Sequence, residues 1–263
     1  MKARSLPALF VLLVLCPPLH AQTVQPPTPA VPPPPKCGDA RPSLAGILTA
    51  EGLVIAPDGT IYFTQPNGSS AFLGRYRPPY KEPETRWVDL GGKALGITLD
   101  PRRGILYAGS RERRKLLAVV LAESPEVVEL ADVEPKINGV TLGNDGAIYY
   151  TDQAGGHVYR VSADGAKTQV TATPIEDPGG LAFAPDGALH VLTSAKARIT
   201  RLQLANGKET TREPFADVTG AKNADGIAFD AKGQLYVTAQ ALFRVSPDGK
   251  TVTRLGNAYG ANA

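Results

Sequence analysis

Short runs of alternating apolar and polar residues fill this chain from Leu48 to Leu255, each closed by a turn. Such alternation predicts half-buried β-strands. One pattern recurs: Glu51-Gly-Leu-Val-Ile-Ala-Pro-Asp-Gly-Thr-Ile-Tyr-Phe-Thr64, Leu95-Gly-Ile-Thr-Leu-Asp-Pro-Arg-Arg-Gly-Ile-Leu-Tyr-Ala-Gly109, Asn138-Gly-Val-Thr-Leu-Gly-Asn-Asp-Gly-Ala-Ile-Tyr-Tyr-Thr151, Gly179-Gly-Leu-Ala-Phe-Ala-Pro-Asp-Gly-Ala-Leu-His-Val-Leu-Thr193 and Asp225-Gly-Ile-Ala-Phe-Asp-Ala-Lys-Gly-Gln-Leu-Tyr-Val-Thr238. A period of about 43 residues with four short strands per repeat is the mark of radially arranged blades. The chain therefore reads as an all-β protein, a β-propeller of five visible four-stranded blades. What recurs in every copy serves the blade; what differs within one aligned column is a candidate for function.

In the third copy the first strand is predicted over residues 140–142 and the second over 147–151. The third covers 157–162 and the fourth 167–172. Asn144-Asp145-Gly146 and Ala163-Asp164-Gly165 make the turns, glycine supplying the positive φ they need. Antiparallel order puts the start of each first strand and the loop after each second strand on one face of the ring. The Asp-Gly turns lie on the other. The residue before each Gly-apolar step thus falls at the channel mouth, and that column reads Glu51, Leu95, Asn138, Gly179, Asp225. Residues 43–50 precede the first copy and are placed to help close the ring, leaving no open strand edge.

Glu51, Asn138 and Asp225 offer two carboxylates and a carboxamide oxygen around one opening. Hard cations such as Ca²⁺ take oxygen ligands of this kind, and a cation with open positions polarises a carbonyl and acidifies water. The same residues also suit solvated loops and hydrogen bonds between blades. On the same face, Arg111, Arg113, Arg114 and Lys115 crowd one loop, where they can attract an anion or remain solvated. Asp152 and Gln153 end a second strand near the mouth. His157 starts a third strand, and His190 sits within a second strand as a packed residue. No His/Cys cluster at transition-metal spacing, Gly-x-Ser-x-Gly elbow or phosphate-cradling loop is present.

Composition changes the picture mainly at the N-terminus. Residues 1–21 carry Lys2 and Arg4, an apolar run and Leu19-His20-Ala21, the pattern of a cleaved secretory signal. The run is shorter than the roughly 20 residues a spanning helix needs, so secretion or a periplasmic location is expected, with no stable membrane insertion after cleavage. Residues 22–36 form a Pro-rich linker, and 37–263 form the propeller domain. Losing Lys2 and Arg4 lowers a formal net charge of +3 by two. That leaves no electrostatic case for nucleic-acid binding. Cys37 would then be the lone cysteine, excluding an internal disulfide.

These repeats resemble the regucalcin/gluconolactonase-type propellers, the senescence-marker-protein family, over most of residues 48–255. Glu51-Gly-Leu-Val-Ile resembles the family's opening strand, whose Glu is a metal ligand. Asp225-Gly-Ile-Ala-Phe resembles the strand whose Asp is a metal ligand and general base. The resemblance implies metal-dependent hydrolysis of a sugar lactone or related ester, with Ca²⁺ or Zn²⁺ at Glu51, Asn138 and Asp225, and Asp225 activating water. Asn138 matches a metal-binding Asn by local sequence and a substrate-contacting Asn by blade count. On the second count Lys136 is the basic substrate-binding residue, joining Arg113 and Asp152 as candidates, and Gly179 replaces the metal-binding Asn. The family ring has six blades where five are visible here. The alternative is a non-catalytic exported propeller that binds a protein or glycan through its loop face. The pattern is shared with virginiamycin-lyase-like propellers, for which a loop-face histidine is wanting.

Overall fold

The computed structural model describes residues 50–67, 70–221 and 223–257. The expected signal segment, the linker, Cys37 and all of the closing segment but Ala50 lie outside them. Among the described residues the chain forms five antiparallel sheets of four strands each, in chain order within every sheet. They stand in a ring as five blades, at residues 53–89, 94–132, 137–169, 178–217 and 227–257. Among the described residues there is no sixth blade, so the ring has five blades rather than the alternative six. Among the described residues no helix is long and apolar enough to cross a membrane.

The turns form as read. Asp145 Oδ1 accepts the Ala147 N–H at 3.2 Å, and Gly146 takes a φ of 74°, a conformation that favours glycine. Asp58 and Asp186 make the same bond to Thr60 and Ala188. In blade three the strands are Ile137–Leu142, Ile148–Asp152, His157–Val161 and Lys167–Gln169. The last stops short of the expected 172 because Thr171 Oγ1 takes the Val158 N–H at 3.1 Å, replacing backbone pairing with a side-chain bond. The first begins early because it carries a bulge. Tyr150 pairs with Val140 and Asp152 with Ile137, so Asn138-Gly139 is the irregular step. Leu95-Gly96 and Gly179-Gly180 fall at equivalent shifts. A bulge re-aims side chains and often borders a site. Here it presents the column residue to the axis.

Neighbouring blades join by apolar packing. One cluster joins blades one and two through Tyr62, Leu73, Ile97 and Leu106. Others join two to three, three to four, and four to five. Near the axis the contact is backbone on backbone. A Cβ on Gly139 would meet Gly179 O at 2.7 Å, and one on Gly180 would meet Asp225 O at 2.7 Å. The recurrent glycine is therefore a close-approach residue. Threonine adds a stitch. Thr151 Oγ1 accepts the Gly139 N–H at 2.9 Å and donates to Gly179 O of the next blade at 2.7 Å. Thr64 does the same between Gly52 and Leu95.

Candidate functional site at the pore mouth

The first strands of all five blades line a cavity of about 140 Å³ on the axis, and its wall includes Glu51, Leu95, Asn138 and Asp225. Residues up to 174 positions apart in sequence (51 to 225) thus share one opening, as circular placement requires. Asn138 is nearly buried, at 9 % exposure. Asp225 N–H bonds Thr238 O at 3.0 Å, and Asp225 O accepts the Gly180 N–H at 2.9 Å. Its backbone is fixed on both sides while its carboxyl opens to the cavity. Burial raises the Asp225 pKa from its ordinary value, opposed by the charge of Arg111.

Arg111, half-buried and outside the cavity wall, is the cation whose charge couples to Glu51 and Asp225. Burial lowers its pKa, against the charges of Glu112, Glu51 and Asp225, which hold the proton on. A guanidinium stays charged under such a shift. Its Nε donates to Ile137 O at 2.8 Å and its Nη2 to Gln153 Oε1 at 3.2 Å. Gln153 Nε2 donates onward to Asp177 Oδ1 at 2.9 Å, and Asp177 Oδ2 accepts the Ala195 N–H at 3.0 Å. A polar belt thus runs over blades two, three and four.

The other sequence candidates lie elsewhere. Arg113 is exposed, its guanidinium packed against Gly91. Lys136 is also exposed, contributing its backbone carbonyl to Gln153 N–H at 3.0 Å. Asp152 is buried at 5 % exposure, and its carboxylate caps its own turn at Ala154 and Gly155. None of the three lines the axial cavity. His157 bonds Thr171 Oγ1 at 3.2 Å, away from that cavity. The belt had a sequence signal that went unused. Arg111, Gln153 and Ser194 each follow a second strand and donate a backbone N–H to Lys93, Lys136 and Asp177 in turn. They form a second column beside the first.

The fourth blade shows how the pore is adapted. Gly179 brings no side chain, and the Ser194 hydroxyl occupies the space its Cβ would take. That hydroxyl is buried with no hydrogen-bond partner among the described residues. Two carboxylates and a carboxamide on one cavity wall make an oxygen-rich set of the kind a hard cation takes. Among the described residues no group of three His, Cys, Asp or Glu gathers to hold an ion.

Residues 49–258 match the SMP-30/Gluconolactonase/LRE-like region family. The chain belongs to that family. Among curated proteins, the virginiamycin B lyase of Nocardia farcinica is 36% identical over 170 residues. That match covers 63% of this chain and 56% of the lyase, so little over half of the relative's length is spanned. Among solved structures, a gluconolactonase from Xanthomonas campestris superposes with a TM-score of 0.66 at 20% identity, covering 81% of this chain and 77% of that one. A calcium-binding regucalcin from Agrobacterium tumefaciens str. C58 gives 0.62 at 21%, covering 79% and 74%. At these identities the structures show the shared propeller.

Proposed function

We propose that the pore mouth hydrolyses a small lactone or sugar-acid ester, aided by a divalent cation, with calcium ahead of zinc. The observation that carries the reading is the gathering of Glu51, Asn138 and Asp225 on one cavity wall in a chain of the gluconolactonase family. Their oxygens would hold the cation, whose contribution when bound is to polarise the ester carbonyl. Asp225 is the base. Burial raises its pKa and so its proton affinity, which suits it to take a proton from water. Arg111 supplies fixed positive charge and orients an anionic sugar acid, and Gln153 holds it in place. In the same proposal the protein works outside the cytoplasm, as residues 1–21 suggest.

The test is hydrolysis of a panel of five- and six-membered sugar lactones by the purified protein, with and without chelator. Activity should fall at least a hundredfold in Asp225→Ala, a range typical of losing general-base help. An unimpaired Asp225→Ala would overturn the assignment. Saturable sugar-acid binding without turnover would favour the recognition-module alternative. The lyase reading is favoured by the 36% identical relative. However, no histidine lines the cavity, so elimination would also have to use Asp225. A streptogramin B substrate belongs in the same panel.

A further inference from the structure

The seam between blade five and blade one has the residues of the other seams without their packing. Two positions after each pore-mouth residue stands an aliphatic side chain: Leu53, Ile97, Val140, Leu181, Ile227. Ile97 shares an apolar cluster with Tyr62 of the blade before it, Val140 with Tyr107, and Leu181 with Tyr149. All six of these side chains are buried. By the same rule Leu53 belongs against Tyr236 of blade five. Tyr236 is only half-buried, Leu53 is exposed, and among the described residues no cluster joins them.

Apolar exposure gathers at this seam. Ile55 follows Leu53 on the same face of the strand and is exposed, as is Leu255 in the last strand of blade five. Three of the five large hydrophobic side chains exposed among the described residues thus belong to the two blades that flank it. Phe63 adds a second observation. It pairs with Leu53 across the strands and so shares its face. Yet Phe63 is wholly buried and joins none of the four clusters between blades. Its ring lies over Gly74 of its own blade, in the space a Cβ there would take. Gly74 covers one side of the ring. A ring standing on a sheet needs cover from beyond that sheet on the other.

We propose that residues 43–49 of this chain, Ser43-Leu44-Ala45-Gly46-Ile47-Leu48-Thr49, dock on this face and close the ring. The described chain begins at Ala50, next to blade one, and ends at Asn257, in blade five, so both remaining ends leave from this seam. Of the two, the first carries large aliphatic side chains close by, at Leu44, Ile47 and Leu48, whereas residues 258–263 read Ala-Tyr-Gly-Ala-Asn-Ala. Seven extended residues reach about 23 Å, and the five steps from Ala50 to Ile55 span about 17 Å. The segment is long enough to turn back along the first strand and lay its aliphatic side chains on Leu53, Ile55 and the open side of Phe63. Removing that apolar surface from water is the driving force. The Pro-rich linker at residues 22–36 stays outside the contact. The closure holds whatever chemistry the pore performs.

The test puts the photo-crosslinking residue p-benzoylphenylalanine in place of Ile55 in the full chain and maps the adduct by mass spectrometry after irradiation. The adduct should join position 55 to the peptide 43–49 of the same chain. An adduct to any other segment, an adduct between two chains, or no adduct would each overturn the proposal, the second by giving the face to another copy. Melting supplies an independent readout. Leu44→Asp combined with Ile47→Asp should melt about 5 °C below wild type. Deleting residues 43–49 should cost at least as much, while deleting residues 22–36 should change nothing. Wild-type melting without residues 43–49 would refute the closure. If that deletion does not fold, the crosslink at position 55 still decides.

Discussion

Four seams between blades are sealed in one way, and the seam from blade five to blade one differs. Each sealed seam has an apolar cluster spanning both blades. Among the described residues no cluster joins blade five to blade one. Leu53 and Ile55 of the first blade are 49% and 64% exposed. Thr64 and Thr151 are fully buried and reach the next blade's carbonyl. Thr238 is exposed, and its hydroxyl turns back to Gly226 O of its own blade at 3.2 Å. A Cβ on Gly139 or Gly180 would strike the next blade's backbone, whereas one on Gly226 would meet Thr238 Oγ1 alone, at 3.0 Å. Blade five carries the letters of a sealed seam, but among the described residues no backbone of blade one stands against Gly226. Those letters therefore belong to the repeat.

The sharpest way to break this comparison is to add one methyl group. Gly139→Ala and Gly180→Ala should each cost about 3 kcal/mol in denaturant unfolding, since backbone cannot move aside for the new carbon. Gly226→Ala should stay within about 1 kcal/mol of wild type. Equal costs at all three would mean that the fifth seam is as tight as the others.

Acid probes the sealed fourth seam with an effect of nearly the same size. Burial pushes His190 down to about 4. The unfolded chain therefore binds the proton first, and stability is lost as pH falls from about 6.5 to about 4. Between pH 7 and pH 4, wild type should lose about 3 kcal/mol more than His190→Phe, given roughly 1.4 kcal/mol per pKa unit. Parallel pH curves for the two proteins would count against a neutral, buried imidazole.

The threonine stitch gives a smaller contrast. Thr151→Val should cost about 2 kcal/mol, leaving Gly139 N–H and Gly179 O without their shared partner. Thr238→Val should cost less than ~1 kcal/mol, because exposed groups find water. The smallest effect is expected at Asp225, beside the unsealed seam. Its raised pKa means the folded state holds the proton to higher pH, so stability falls as pH rises through that window. In chelator, Asp225→Asn should melt above wild type at pH 7, and the two should converge near pH 3. A lower melting point at pH 7 would show that the carboxylate supports the fold.

The blades were legible because their signals are local. Asp145-Gly146 turns the chain by its own bonds, and the β-favouring run Ile148-Tyr149-Tyr150-Thr151 after it needs no knowledge of neighbours. The column Glu51, Asn138, Asp225 was legible because a radial repeat turns sequence spacing into spatial equivalence. Which of four adjacent cations bonds across to the next blade was not. Arg111 follows its strand directly and reaches Ile137 O of the next blade, while Arg113 turns outward, and only that cross-blade bond separates them. The bulge at Asn138-Gly139 was hidden for the same reason: it answers to the adjoining blade, not to local propensity. The fifth seam was invisible because Gly226 and Thr238 match Gly52 and Thr64 of blade one and Gly139 and Thr151 of blade three letter for letter.

The fastening near the axis grips main chain. Leu95, Gly179 and Asp225 each present a carbonyl to the blade before, a group every amino acid possesses. Side-chain identity at these positions is thereby uncoupled from assembly. Evolution can rewrite the chemistry of such an aperture one sector at a time, leaving the architecture untouched.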